Sequence, residues 1–115
     1  MEMIFHRLQE WGCDIEGALE RFLDDKELYV TCLQTVIEDG NFKKLGDALT
    51  EGRISDAFDY AHTLKGVFAN LGLTPMYTIV ELIVEPLRSG ASSDLKQPYE
   101  ELLASNEHLK EIIGM

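Results

Sequence analysis

Basic residues are scarce in this chain: 10 lysines and arginines stand against 21 aspartates and glutamates, a formal charge of −11 over 115 residues. That field repels phosphate backbones and anionic headgroups, which argues against nucleic acid and membrane surfaces as partners. Long apolar runs are missing as well. No stretch approaches the ~20 residues that a membrane helix needs. The opening "MEMIFHRLQEWG" has neither the basic leader nor the apolar stretch of a signal peptide, so a cytoplasmic location is the expectation. Cysteine is limited to Cys13 and Cys32, without CxxC spacing, which argues against a disulfide framework or a zinc site. Both read as small buried apolar side chains. Three prolines and nine glycines are too few for a linker-rich chain. No segment alternates in the manner of a strand.

What is present is globular: 45% apolar and 27% charged residues, in a length that suits one core and hence one domain over residues 1–115. The initiating methionine and the full set of helical segments lead us to expect a free-standing protein. In "KELYVTCLQTVIEDG", Leu28, Tyr29, Cys32, Leu33, Val36 and Ile37 recur at helical spacing, with Gly40 as a stop. "NFKKLGDALTEG" repeats the signal, with Asn41 as an N-cap, Phe42, Leu45 and Leu49 inward, and Gly52 closing it. The next helix is predicted from Ser55, or a turn earlier at Arg53, to about Leu71, with Gly72 as its stop.

"TPMYTIVELIVEPLRSG" places Thr74 at a cap and Pro75 at the first helical position, with Met76, Ile79, Val80, Ile83 and Leu87 inward. Pro86 removes a backbone donor, so a kink or an early end is expected there. In "ASSDLKQPYEELLASNEHLKEIIGM", serine and aspartate caps precede a stripe of Leu95, Tyr99, Leu102, Leu103, Asn106, Leu109 and Ile113, in which Asn106 is the odd member. The first 25 residues split into two short helices at Gly12, with Asp14 capping the second and Trp11, Leu19, Phe22 and Leu23 closing one end of the core. Four major amphipathic helices with short connections give an all-α, up-down four-helix bundle with extra short N-terminal helices.

One stretch carries chemistry. In "DYAHTLKGVFANLGL", Ala57, Ala61, Leu64, Phe68 and Leu71 cluster on one side, with Ile54 and Val67 at the margins. His62 then lies roughly 130° from the centre of that cluster and points outward. Lys65 and Gly66 follow at i+3 and i+4 and Ala69 at i+7, with Phe58 and Asp59 one turn before. A glycine inside a helix costs around 1 kcal/mol relative to alanine, and close approach by another molecule is a physical reason to accept that cost. Imidazole, with an ordinary pKa of about 6.5, is a competent nucleophile near neutral pH. Lys65 would offset charge on a phosphoryl group there. On its own, His-x-x-Lys-Gly is also compatible with plain solvated surface.

"AHTLKG" (Ala61 to Gly66) followed by "ANLG" (Ala69 to Gly72) resembles the signature of histidine phosphotransfer (HPt) domains of bacterial phosphorelays. "ALERFLDDKELY" (Ala18 to Tyr29) is similar to the family's N-terminal helical segment, and the spacing to Met76, Ile79 and Ile83 fits its next bundle helix. The resemblance implies a monomeric phosphocarrier rather than an enzyme. His62 would be the phosphoacceptor, through Nε2. Lys65 would assist the phosphoryl group and Gly66 give access, while Phe58, Asp59, Ala69 and Asn70 would complete the partner-binding patch. The implied partners are response-regulator receiver domains and a sensor or hybrid histidine kinase, with the receiver supplying the aspartate, the Mg²⁺ and most of the catalysis. No cofactor or metal of the chain's own is implied. Val67 and Phe68 are bulkier than the residues often found after the glycine, and Pro86 is a second departure.

His6 and His108 lack the lysine and glycine companions and read as ordinary surface residues; Glu81 and Glu85 read as a solvated pair. The Glu-x-x-His spacing of a di-iron bundle is absent. The alternative to a phosphocarrier is a helical interaction module that binds and inhibits a kinase or receiver without being phosphorylated.

Overall fold

The computed structural model describes residues 2–90 and 94–114. Among these, seven helices and no strand are found: α1 (Glu2–Trp11), α2 (Ile15–Arg21), α3 (Lys26–Ile37), α4 (Asn41–Glu51), α5 (Ile54–Asn70), α6 (Thr74–Arg88) and α7 (Lys96–Ile113). The fold is an all-α bundle. Helix α5 packs between α4 and α6, α6 also packs on α7, and α7 carries α3 and α1.

Helix α5 is built around Ala57, Ala61, Leu64 and Phe68, each fully buried. Burial of a side chain the size of Leu64 or Phe68 contributes about 1.5–3 kcal/mol. The C-terminal end of α5 is tied down from three directions. Arg21 donates from Nε to the Asn70 carbonyl at 2.9 Å and from its terminal nitrogen to that of Ala69 at 3.1 Å. The buried Tyr29 hydroxyl donates to the Leu71 carbonyl at 2.7 Å. Carbonyls that a helix end leaves without partners are thereby satisfied. Gly72 follows with φ +67° and donates no side chain to the turn, which lets the Asp14 backbone cross close to it. The Asp14 N–H donates to the Gly72 carbonyl at 2.8 Å. These bonds hold α5, and everything displayed on it, at a fixed place in the bundle.

The capping aspartates behave as their chemistry dictates: Asp14 accepts from the Gly17 N–H and Asp25 from the Leu28 N–H, each at 3.0 Å. Elsewhere the boundaries shift. Asn41 is the first residue of α4 rather than its cap; the Asp39 carboxylate accepts from the Asn41 N–H at 2.8 Å. Gly40 precedes α4 with φ −65°, so it is not a left-handed stop for α3, which ends at Ile37. Gly52, by contrast, closes α4 in the left-handed region. Thr74 lies inside α6 by one residue, and its hydroxyl turns back to the Gly72 carbonyl. Helix α6 does not end at Pro86 but runs to Arg88. The proline deprives the Leu82 carbonyl of its helical donor, and Leu82 is exposed, so water can take that place. Ser92 and Ser93 lie outside the described residues; Asp94 accepts from the Lys96 N–H at 2.9 Å.

Three leucines expected inside lie outside. Leu23, 90% exposed, sits in a turn where it and Asp24 both take positive φ, which swings its side chain away from the core. Leu28 and Leu103 are exposed because each stands about 100° round the helix from the residues that dock, Tyr29 on α3 and Leu102 on α7. The odd Asn106 is buried, and its Nδ2 donates to the Ile37 carbonyl at 3.2 Å, capping the end of α3 where that helix lies on α7. Cys13 is buried and Cys32 half-buried, both as free thiols.

Candidate functional site

His62 follows the buried Ala61 by one step on α5, and with Leu64 and Phe68 also turned inward, its ring is carried to the exposed side. One turn earlier stands Phe58, half-buried, and the two rings stack with centroids 5.5 Å apart and planes at 15°. This stack gives the imidazole one face against an aromatic surface and leaves the other face outward. Asp59, Gly66, Ala69 and Asn70 are exposed. A Cβ placed on Gly66 would meet nothing within 4 Å, so the space beside the imidazole is open. The structure therefore brings His62, Phe58, Asp59, Gly66, Ala69 and Asn70 together on one accessible face of α5.

Lys65 departs from this group. Its side chain, only 19% exposed, crosses to α6, where the ammonium lies 3.6 Å from a Glu81 carboxylate oxygen, 3.9 Å from one of Glu85, and 5.4 Å from the centroid of the Tyr77 ring. Glu81 and Glu85 are thus not merely a solvated pair; they are counter-charges to the one cation of the motif. Partly exposed pairs of this kind contribute about 0.2–1 kcal/mol each.

A second cation, missed in the sequence, belongs to the same surface. Arg88 stands 5.3 Å from the centroid of Phe58, the ring that supports His62, and its Nε lies 3.6 Å from Glu85. The signal for it was present, since Glu81, Glu85 and Arg88 fall at i, i+4 and i+7 on α6 and so share a face. What the sequence lacked was which face of α6 meets α5.

The other histidines have different settings. His6 pairs with Glu10 on α1, and His108 meets Trp11 edge-on at 4.7 Å, joining α7 to α1. Among the described residues no group of three or more His, Cys, Asp or Glu side chains could hold a metal ion. Chemically, the face offers an accessible imidazole with a supported ring and room for an approaching surface at Gly66, while the two cations, Lys65 and Arg88, are engaged by carboxylates of α6.

The sequence profile of one family, described as the Hpt domain, matches residues 17–112. No curated protein and no solved structure matches the chain significantly. No helix among the described residues is long and apolar enough to cross a membrane.

Proposed function

Because the chain belongs to the Hpt domain family, whose members act in histidine phosphotransfer within phosphorelays, we propose that it is a phosphocarrier whose phosphoacceptor is His62. It takes the phosphoryl group from a receiver-domain aspartate or from a kinase and passes it to another receiver. The single observation that carries this reading is an exposed imidazole stacked on Phe58, beside a glycine whose missing side chain leaves open space.

The chemistry asks little more of the carrier. Phosphoryl transfer depends on positioning and on charge neutralisation by metal and cations, with little covalent work for the protein. A neutral imidazole supplies the nucleophile. Phe58 orients the ring, and Gly66, Ala69 and Asn70 form a low surface against which a receiver can press. Asp59 edges that surface. The aspartate and Mg²⁺ come with the receiver, so the carrier is not an enzyme in its own right, and it works as a monomeric single domain over residues 1–115.

The test uses intact-mass measurement after incubation with Mg²⁺ and a receiver domain charged by acetyl phosphate, and separately with phosphoramidate, which needs no partner. The expected result is one added phosphoryl group that is acid-labile, as a phosphoramidate bond should be, and that is lost in His62→Gln. A protein that binds the receiver yet gains no mass from either donor is instead an inhibitory docking module.

A further inference from the structure

We propose that Glu81 and Glu85 are positioning residues for Lys65, which they withhold from the phosphoryl group, and that this competition keeps the phosphohistidine ready to give its phosphoryl group away. The inference rests on His62 being the phosphoacceptor and concerns how that site is tuned.

Lys65 stands one turn beyond His62 on α5, close enough for its flexible stem to serve a group on the imidazole. In the resting protein it is engaged elsewhere, 3.6 Å from Glu81, 3.9 Å from Glu85 and over the Tyr77 ring. Arg88 is shared in the same way, between Glu85 at 3.6 Å and the face of Phe58. Two cations and two carboxylates leave no net positive charge on this surface. Transferred to a ring that keeps its second proton, a phosphoryl group brings one net negative charge to the site, with the anionic charge carried on three acceptor oxygens. To neutralise it, Lys65 must leave its two carboxylates, and Glu85 then faces the new anion with only Arg88 to screen it.

In the transfer, the unprotonated ring nitrogen of His62 donates its lone pair to phosphorus. The P–O bond of the receiver's aspartyl phosphate breaks with its electron pair staying on the carboxylate, and the second ring nitrogen keeps its proton. The return step reverses each change. The same bonds form and break whatever surrounds them, so the local charge balance shifts how far the equilibrium lies towards the N–P bond. With Lys65 held on α6, that balance favours the receiver.

The experiment equilibrates the protein with an acetyl-phosphate-charged receiver domain and Mg²⁺, and partitions the phosphoryl group by intact mass and acid lability. Glu81→Gln/Glu85→Gln should move the equilibrium towards phosphohistidine by on the order of fivefold. Glu81→Gln alone, which keeps the Glu85–Arg88 pair, should move it less and in the same direction. In a Lys65→Ala background the Glu81→Gln shift should vanish and the double-variant shift should shrink to what Glu85 and Arg88 contribute directly, because Glu81 acts through that ammonium. An unmoved equilibrium, or a shift that persists undiminished without Lys65, overturns the inference while leaving His62 as phosphoacceptor. Absence of any acid-labile gain in the wild-type protein overturns both together.

Discussion

The imidazole of His62 lies nearly parallel to the Phe58 ring, 5.5 Å between centroids and 15° between planes, on consecutive turns of α5. An aromatic pair of this kind contributes about 0.5–1.5 kcal/mol beyond simple burial, enough to favour one ring orientation. Phe58→Leu keeps most of the apolar contact of a half-buried side chain but removes the flat support. Single-turnover phosphotransfer is expected to slow by about two- to tenfold, with the helix content intact. A variant that transfers at the wild-type rate would show that the ring needs no such support.

Two glycines inside helices should respond to alanine with opposite signs. At Gly66 a Cβ meets nothing within 4 Å, so Gly66→Ala should raise stability by up to about 1 kcal/mol. At Gly46 a Cβ would collide with the Tyr99 hydroxyl, which donates to the Phe42 carbonyl at 2.8 Å and ties α7 to α4. Gly46→Ala should therefore destabilise, by about 1–3 kcal/mol. Gly66→Trp is the functional arm: it should melt near the wild-type temperature yet lose most transfer to a receiver. If it transfers normally, the glycine is not there for a partner's approach.

Tyr29→Phe removes the buried hydroxyl that satisfies the Leu71 carbonyl and leaves that acceptor without a partner. The expected loss is about 1–3 kcal/mol in urea unfolding, and amide exchange at the C-terminal turn of α5 should quicken. A change confined to α3 would contradict the anchoring role.

Burial pushes the Cys13 thiol up from its ordinary 9.0 to about 12, and burial likewise raises the Tyr29 phenol. From about pH 9 upward the unfolded chain sheds protons that the folded chain retains. Stability from these two groups is thus complete below pH 9.0; that from Cys13 is lost progressively as the pH climbs towards about 12, and that from Tyr29 over a higher window. The urea midpoint should fall across that window, and less steeply in Cys13→Ala. At about pH 8, iodoacetamide should modify the half-buried Cys32 well before the protected Cys13; equal rates would place Cys13 in contact with solvent.

Much of the architecture could be read from apolar periodicity. The inward faces of α5 and α6, the break at Gly12, the cap at Asp14 and the outward direction of His62 all follow from spacing, because a 3.6-residue repeat fixes which side chains share a side. The errors have a common origin. Leu28 and Leu103 are apolar residues at the edge of a stripe, and whether an edge is covered depends on a neighbouring helix that the local sequence does not specify. Asn41 and Thr74 both have good capping side chains, but each is the first residue of its helix, and its N–H is taken two residues back, by the Asp39 carboxylate and by the Gly72 carbonyl.

The sequence by itself determined the helices, the exposed histidine and the open glycine beside it, since each depends on neighbours within about two turns of the same segment. The fate of Lys65 was settled only by the tertiary structure. Its ammonium can serve α5 or α6, and the packing of those two helices put Glu81, Glu85 and Tyr77 within its reach. Charge acts through space, so which cation remains for a phosphoryl group depends on the distance between helices and cannot be read along one of them.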